Sequence, residues 1–540
     1  MNKKWVSLIA VFLLVLMLVL EITSASTKSQ TNDEAVHLLA GYSYLTEHDY
    51  RLNAEHPTLT KYLAAVPLLF LQPELDTAHP AWQTTNQWEM ASDFLYNNTV
   101  PADTLLFWGR LPTMLLSILL GWLIFVWAKK LFGPKAGLLA LIFYVFSPNI
   151  LAHSRLITSD LAITFFWLLN FFVLQRYLAK PTGKNLIFFS IVTGLTLLTK
   201  FSALLIIPII IIILLLRFRR DSQTFSLQQF LLTIFSLFVF GIFIIWAGYG
   251  FELIRIKDDP YIIHNLGTAA AHLPFFNLPI PFYHYWVGLI KVFSHSAYGQ
   301  DTFLFGQYAL QGWWYYFPLA FLLKTPLTTI FLALTVKIAG LKWWLKNRKA
   351  KQIPFFYYLL IIPPLLYFVY TLLSNLNLGL RHLLIIFPFI FILISQVINW
   401  PFLKKKAGQV LLIALIAFYL YSSINIFPHY LAYFNEAVGG PIQGPNYLLD
   451  SNLDWGQDYK TLRTYLDEKN ITEYYFNNVN SAQAQYYLPK AKEIPTQDHL
   501  TINYLAVTVN SLYAENSQYA WLKEYQPVAR IGYSIYLYKF

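Results

Sequence analysis

The residues best suited to chemistry gather in one stretch directly after the first apolar segment. Residues 31–67 read TNDEAVHLLAGYSYLTEHDYRLNAEHPTLTKYLAAVP, and their ionisable side chains include Asp33, Glu34, His37, Asp49, Arg51, Glu55, His56 and Lys61. Charge beside hydrocarbon is costly and is usually retained for chemistry or transport. A carboxylate can take a proton from a reacting hydroxyl, and a cation can neutralise a phosphate that leaves.

A helix through the start of this stretch would place several of these side chains together. The spacing of Glu34, His37, Gly41 and Tyr44 puts all four on one helical face. Asp33 would then lie at the N-terminal edge, where the helix dipole favours a carboxylate. The alternative is a solvated loop that only caps a helix. Isolated charges in the later loops on the same side of the membrane favour a functional site.

Composition places the chain among membrane proteins. It has 540 residues, of which 56% are hydrophobic and 12% charged, and apolar runs recur along most of its length. The net charge of +11 comes from short basic clusters between these runs. That pattern is typical of cytoplasmic loops and does not indicate a nucleic-acid partner. The absence of cysteine excludes disulfides, thiolate catalysis and zinc–thiolate sites.

The basic clusters predict a polytopic α-helical protein with a cytoplasmic N-terminus and about 11 transmembrane helices. A transmembrane module of residues 1–426 would carry the charged stretch in a first outer loop, about 21–104. The apolar region 186–216 is too long for one span, so we expect two helices that break near Thr199 and Lys200, with Lys200 outside. Residues 427–540 are more polar and predict a small extracytoplasmic α/β domain, with a helix at 458–468 and strands in EYYFNN, LTINYLAVTV and ARIGYSIYLYKF.

Other kinds of site fit the sequence less well. The spacing of His37, His48 and His56 matches no compact zinc pattern. The chain has no GxxxxGK[ST] loop, which disfavours a nucleotide-driven pump. A proton-coupled transporter would carry its ionisable groups in the middle of the membrane, whereas here they gather at the outer rim.

Placement at the rim suits an enzyme that uses a lipid-linked phosphate at the outer leaflet. Three outer loops supply its candidate residues, namely Asp33 and Glu34, Arg155 and Asp160, and Arg381 and His382. Glycosyl transfer from such a carrier needs a base for the acceptor hydroxyl and cations for the leaving phosphate. Asp33 suits the first task, and the cations available for the second are Arg381, Arg155, His56 and Lys61.

These residues resemble a known family. The Asp33–Glu34 pair, the Glu55-His56-Pro57 triplet with Lys61, and Arg155 through Asp160 are similar to motifs of the polyprenyl-phosphate-dependent glycosyltransferases of the GT-C fold. The most similar branch is the protein O-mannosyltransferase and lipid A aminoarabinose transferase superfamily, glycosyltransferase family 39. Further similar segments are GLTLLTKFSAL, GWWYYFPLAFLLKTP, LGLRHLLIIFP, HYLAYFNEAVGGP and DSNLDWGQD.

The resemblance implies a function and a set of site residues. Asp33 would be the catalytic base, Glu34 would support the site, and Asp160 would be the second acidic residue of the outer face. The residues expected to bind substrate are Glu55, His56, Lys61, Arg155, Lys200, Lys324, Arg381 and His382. His56 stands where some relatives have Lys or Arg, and an unperturbed His is mostly neutral at pH 7.

The resemblance further implies an inverting enzyme of the cell membrane without a required metal or other cofactor, although a divalent cation remains compatible. Its donor would be a polyprenyl-phosphate sugar, mannose-like in the first instance, and its acceptor a hydroxyl of a protein, lipid or glycan. A transporter or flippase of lipid-linked sugars would use the same rim charges only for binding and would tolerate Asn at position 33. A ligase-like transferase with lipid diphosphate donors would depend more on its Arg residues than on Asp33.

Overall fold

Helices make up most of the described structure. The computed structural model describes residues 3–256, 277–347, 353–495 and 503–540. Within these ranges, eight segments are long and apolar enough to cross a membrane: Lys4–Ser26, Ala102–Phe132, Ser159–Ala179, Phe201–Arg220, Leu227–Gly248, Leu327–Lys346, Leu380–Asn399 and Lys406–Asn425. The prediction of a polytopic α-helical membrane protein is therefore confirmed.

The helices before the first long gap are α1 (Lys3–Ser26), α2 (Glu34–Thr46), α3 (Leu59–Ala65), α4 (Leu68–Leu71), α5 (Pro80–Gln83), α6 (Gln87–Tyr96), α7 (Ala102–Phe132), α8 (Pro134–Val145), α9 (Pro148–His153), α10 (Ser159–Ala179), α11 (Gly183–Leu197), α12 (Ile206–Arg220) and α13 (Leu227–Gly248). After it come α14 (Tyr283–Tyr298), α15 (Tyr316–Lys324), α16 (Leu327–Asn347), α17 (Phe356–Thr371), α18 (Phe387–Ser395), α19 (Lys406–Asn425), α20 (Tyr459–Glu468), α21 (Ala482–Tyr487) and α22 (Val509–Tyr513). Short 3₁₀ turns extend α12 and α18 at their N-termini, over Phe201–Leu205 and Leu380–Ile386.

Every predicted span falls on helix. α12 and α18 reach 20 residues when their flanking 3₁₀ turns are counted, but three other helices stay shorter. These are α8, α11 and α17, with 12, 15 and 16 residues. About 20 residues are needed to cross the hydrocarbon core, so the number of 11 spans stays a prediction. The expected break near Thr199 and Lys200 is present, because α11 ends at Leu197 and a 3₁₀ turn starts at Phe201.

The first outer loop is built on the close contact of two short helices. α2 is almost fully buried and packs against α3. A Cβ atom at Gly41 would lie 2.1 Å from the carbonyl oxygen of Lys61, so only glycine allows this approach. The apolar run that begins in α3 is interrupted at Pro67, after which α4 starts at Leu68. Residues 257–276, between α13 and α14, lie outside the described residues.

The C-terminal residues form a five-stranded mixed sheet in the order β6-β5-β7-β9-β8. Two small hairpins, β1 (Leu253–Arg255) with β2 (Pro279–Pro281) and β3 (Thr302–Leu304) with β4 (Gln307–Ala309), precede it in the chain. The sheet strands are β5 (Tyr474–Phe476), β6 (Ala491–Lys492), β7 (Tyr504–Thr508), β8 (Ala529–Ile531) and β9 (Ile535–Lys539). β5 runs parallel to β6 and β7, whereas β9 is antiparallel to β7 and β8. α20 packs on the sheet through Leu462 and Leu466. α20, β5, β7, β8 and β9 lie within the segments predicted from the sequence, whereas β6 lies outside them. Residues 500–502 of LTINYLAVTV are not among the described ones.

Candidate active site

A cavity of about 740 Å³ lies among the first outer loop, the helices that follow it and the C-terminal segment. Six of the residues predicted from the sequence line it: Asp33, Glu55, His56, Lys200, Arg381 and His382. One part of its wall is apolar and includes Leu204, Pro208, Leu289, Val292 and Tyr367. The cavity thus combines ionisable groups with a surface suited to a hydrocarbon chain.

Arg381 is the cation around which the acidic residues of the cavity are arranged. Its Nη1 lies 3.2 Å from Oδ2 of Asp33 and 3.5 Å from Oδ2 of Asp160. The ring of Trp455 lies 4.3 Å from the guanidinium carbon, which is cation–π distance. The 3₁₀ turn at Leu380–Ile386 carries Arg381 to this position, because Gly379 before it adopts a φ of +124°. Loops far apart in the sequence therefore meet at one guanidinium.

Asp33 occupies the position expected of it at the start of α2. It is the residue before the first helical residue, and its side chain makes no capping hydrogen bond to the helix. The carboxylate is 20% exposed and borders the cavity. Its contact with Arg381 is long for a charge-assisted bond. Asp33 is therefore a carboxylate that an incoming hydroxyl can reach.

Asp160 lies deeper and is more tightly bound. Nζ of Lys200 lies 2.7 Å from its Oδ1, and Arg381 faces its other oxygen. The Asp160 side chain is only 1% exposed. Both of its oxygens thus face cations, which makes it an anchor for Lys200 and Arg381.

The two histidines nearest to Asp33 pack against each other. The rings of His37 and His56 meet edge to face, with centroids 5.1 Å apart, and Nδ1 of His37 contacts the carbonyl oxygen of Ile157 at 2.8 Å. Burial lowers the pKa of His37. Burial, together with the neighbouring His37 and Lys200, lowers the pKa of His56 well below its usual range. Both rings are therefore neutral at physiological pH.

Glu34 faces away from the cavity. Its carboxylate pairs with the guanidinium of Arg110 at 2.6 and 2.8 Å, and it accepts hydrogen bonds from the backbone N–H groups of Thr31 and Ile157. Burial by itself would raise the pKa of Glu34, but Arg110 and the backbone donors hold it below its ordinary value. Glu34 does not line the cavity that Asp33 borders, so a direct part in catalysis is not supported by its position, and its expected role in support of the site stays a prediction.

Lys61 also differs from its expected role. Its Nζ donates to the backbone carbonyls of Asn53 and His56 and to the hydroxyl of Tyr44. The side chain is 1% exposed and does not line the cavity. Lys61 holds the loop at residues 53–56. The backbone there is irregular, so its carbonyl oxygens need hydrogen-bond donors from a side chain.

Arg155 and Lys324 lie outside the cavity as well. Nη1 of Arg155 donates to the carbonyl oxygen of Ser24 at 2.7 Å. Nζ of Lys324 donates to the carbonyl oxygens of Leu431 and Asn452 and lies 4.4 Å from the centre of the Phe434 ring. Burial lowers the pKa of Arg155 to about 10 and that of Lys324 well below its usual range. Neither side chain lines the cavity, and their expected contact with substrate stays a prediction.

Comparison with known proteins supports the resemblance seen in the sequence. Residues 103–246 match the family model described as dolichyl-phosphate-mannose-protein mannosyltransferase. The predicted resemblance to polyprenyl-phosphate-dependent glycosyltransferases is confirmed by this match, as is the prediction of a glycosyltransferase. The matched segment contains Asp160 and Lys200, whereas Asp33 and Arg381 lie outside it. No curated protein sequence matches the chain significantly.

Solved structures show more distant similarity. ArnT from Cupriavidus metallidurans bound to undecaprenyl phosphate is 13% identical, with a TM-score of 0.45 over 100% of this chain and 98% of that one. The Archaeoglobus fulgidus oligosaccharyltransferase in its apo form is 11% identical, with a TM-score of 0.48 over 97% of this chain and 73% of that one. AglB from the same organism, in complex with an inhibitory peptide and a dolichol-phosphate, is 11% identical, with a TM-score of 0.47 over 96% and 72%.

Some residues of the site were missed by reasoning from the sequence. Trp455 and Asp450 line the cavity and belong to the DSNLDWGQD segment. They reach it because the backbone N–H of Asn32 donates to the carbonyl of Trp455 at 3.0 Å, and because Lys28 forms a buried ion pair with Asp458. Only tertiary contacts reveal this pairing. Arg110 did leave a signal, since a lone arginine in an apolar helix generally has a buried partner.

Removal of Arg110 should destabilise the protein. Arg110→Ala would leave Glu34 as an unpaired buried charge, and loss of one partner of such a pair costs roughly 3–5 kcal/mol. Reversible unfolding of the purified protein in mixed micelles would measure the change in the free energy of unfolding. The matched control is Arg463→Ala, which breaks the exposed pair with Asp467 and should lose only a small fraction of that stability. An equal decrease in the free energy of unfolding in the two variants would show that the buried Glu34–Arg110 pair stabilises the protein no more than an exposed pair does.

Proposed function

We propose that this protein transfers a glycosyl group from a polyprenyl-phosphate-linked sugar to a hydroxyl of a protein, lipid or glycan at the outer face of the cell membrane, with inversion of the anomeric centre. A mannose-like sugar is the first candidate. The observation that carries the proposal is the position of Asp33, an accessible carboxylate beside Arg381 in a cavity with one apolar wall. The family match at residues 103–246 supports the same class of reaction.

Each group has a defined task in this reaction. Asp33 takes the proton of the acceptor hydroxyl as its oxygen attacks the anomeric carbon. The bond between that carbon and the phosphate oxygen breaks, and the polyprenyl phosphate leaves with the electron pair. Arg381 and Lys200 neutralise the negative charge that develops on the phosphate. No cofactor enters these steps, and among the described residues no group of His, Asp and Glu has the geometry of a metal site.

The donors of Arg381 support its assignment to the phosphate. Its Nε is buried and has no hydrogen-bond partner among the described residues, although the side chain borders the cavity. A buried N–H without an acceptor is costly, and a phosphate oxygen would satisfy it. The planar fork of arginine suits such an anion.

A flippase of lipid-linked sugars is the competing function. The apolar wall and the cations would serve head-group binding equally well in a transporter. The position of Asp33 favours transfer, because binding of a phosphate does not require a carboxylate beside it. Incubation of membranes with a panel of radiolabelled polyprenyl-phosphate sugars would separate the two, since only a transferase attaches label to a new acceptor.

Asp33→Asn should abolish turnover and leave donor binding intact. Asparagine keeps the shape of the side chain but cannot accept the proton, and loss of a general base usually costs about 10²–10⁴ in rate. Label transfer and donor affinity would be measured on the same purified variant. Asp49→Asn, which alters a loop carboxylate paired with Arg51, is the matched control and should transfer at the wild-type rate. Near-normal transfer by Asp33→Asn would refute the assignment and make Asp160 the next candidate.

Arg381→Ala should weaken binding of the carrier phosphate. A charge-assisted contact of this kind contributes roughly 1.5–3 kcal/mol, so the affinity for farnesyl phosphate should fall by about one to two decades. Arg381→Lys should recover only part of the loss, because the planar fork is absent. Unchanged affinity in the alanine variant would mean that Arg381 only holds Asp33 and Asp160 in place.

The proposed orientation can be tested by cysteine labelling, since the chain has no cysteine of its own. Lys405 belongs to one of the basic clusters predicted to be cytoplasmic, and Lys469 lies in the predicted extracytoplasmic domain. Both side chains are exposed. An impermeant maleimide added to intact cells should label Lys469→Cys and not Lys405→Cys. The reverse pattern would invert the topology.

A further inference from the structure

One corner of the cavity, at residues 53–56, carries three buried polar atoms without a hydrogen-bond partner in the described part of the chain, and two of them, on Asn53 and Glu55, are acceptors. Oδ1 of Asn53, Oε2 of Glu55 and Nδ1 of His56 are all buried, and none has a hydrogen-bond partner among the described residues. All three residues border the cavity. Buried polar atoms are nearly always paired, so three within the four residues 53–56 call for an explanation.

The loop that carries these acceptors is held rigidly. Lys61 donates to the carbonyls of Asn53 and His56, and the backbone N–H of Asn53 donates to Oε1 of Gln87 at 2.9 Å. Asn53 itself adopts a left-handed φ of +52°. The nearest lysine is thus engaged with main-chain oxygens, and Glu55 forms no ion pair in the described part of the chain. The acceptors stay free because the loop is fixed by other contacts.

A ligand that fits this corner must bring donors and must not be an anion. The carboxylate of Glu55 would repel a phosphate, which the Arg381 and Lys200 side of the cavity attracts instead. Hydroxyl groups on a neutral sugar ring supply O–H donors at the required density. Trp88 also lines the cavity and is 49% exposed, which gives the ring a flat apolar surface to lie against.

We infer that Asn53, Glu55, His56 and Trp88 form the subsite for the glycosyl group of the donor and that it selects a neutral sugar with free hydroxyls over a uronate. This inference rests on the proposed function, because it assumes that the phosphate of the same donor is bound at Arg381. The subsite separates the two ends of the donor head group, with acceptors for the sugar and cations for the phosphate.

The test compares donor analogues that differ only in the sugar. The purified full-length protein in detergent would be titrated with farnesyl phosphate, with farnesyl phosphate β-mannose and with its 4-aminopentosyl counterpart. In Glu55→Gln and Asn53→Gly the affinity ratio of the mannosyl compound to farnesyl phosphate should fall by about tenfold or more relative to wild type. Affinity for farnesyl phosphate itself should not change. Glycine is the replacement at position 53 because it tolerates the left-handed backbone.

The control variant is Glu89→Gln, which alters an exposed carboxylate on the same helix as Trp88, outside the cavity, and should keep the wild-type ratio. An unchanged ratio in both cavity variants would overturn the subsite while leaving the phosphate site standing. If wild type bound the aminopentosyl compound, and only that compound, more tightly than farnesyl phosphate, and Glu55→Gln removed this gain, the proposed class of sugar would be overturned. The Glu55 carboxylate would then bind an ammonium group. Dependence on Glu55 for binding of free methyl mannoside to the farnesyl phosphate complex would assign the corner to the acceptor instead and would also overturn the inference. Failure of wild type to bind farnesyl phosphate would refute the proposed function, and with it the subsite.

Discussion

The ion pair between Glu34 and Arg110 is the interaction on which the outer site depends. Arg110 projects from α7 and binds both the carboxylate of Glu34 and the carbonyl of Ser29, while Glu34 also accepts the N–H of Ile157. One buried pair thereby joins the end of α1, the start of α2, α7 and the loop before α10. Successive helical residues point about 100° apart. Because Glu34 is fixed inward, Asp33 is turned toward the cavity.

The buried cations differ in their hydrogen-bond partners and in whether they border the cavity. Arg110, Arg155, Lys61 and Lys324 each donate to main-chain carbonyls. They satisfy irregular backbone beside a membrane, where unpaired carbonyls would be costly. Arg110 and Lys28 also pair with carboxylates, those of Glu34 and Asp458, but of these cations only Lys200 and Arg381 border the cavity. Charge alone therefore does not identify a substrate-binding residue in this region.

The sequence predicts where the helices of this protein begin and end better than it predicts which way their side chains point. Hydropathy located the helices and the break before Lys200, and the spacing from Glu34 to Tyr44 located α2 with Asp33 at its edge. It could not say which side chains of a charged loop point inward. Lys61 and His56 are only five residues apart, yet Lys61 donates to backbone carbonyls whereas His56 borders the cavity. That outcome depends on the path of the loop at 53–56, which packing against α2 and α6 decides.

Contacts between distant segments were beyond the reach of such reasoning for a different reason. Trp455 lies more than 400 residues after Asp33 in the chain, and no local pattern indicates that they meet. They do so because Lys28 pairs with Asp458 and the backbone of Asn32 binds Trp455. The residues that precede α2 are thereby fixed to the C-terminal segment. The loop that carries Asp33 is thus held by contacts with a segment near the C-terminus.

Trp455 in turn constrains how Arg381 can act. With the indole over the guanidinium at 4.3 Å, one face of that plane is covered. The N–H groups of a guanidinium radiate within its plane, so any anion that binds Arg381 must approach at the edge. Asp33 and Asp160 already share Nη1 at that edge, and Nε has no protein acceptor in the described structure. A phosphate bound at Nε would therefore approach within the plane of the guanidinium, away from the face that Trp455 covers. The stacking of Trp455 thereby limits the directions from which an anion can reach Arg381.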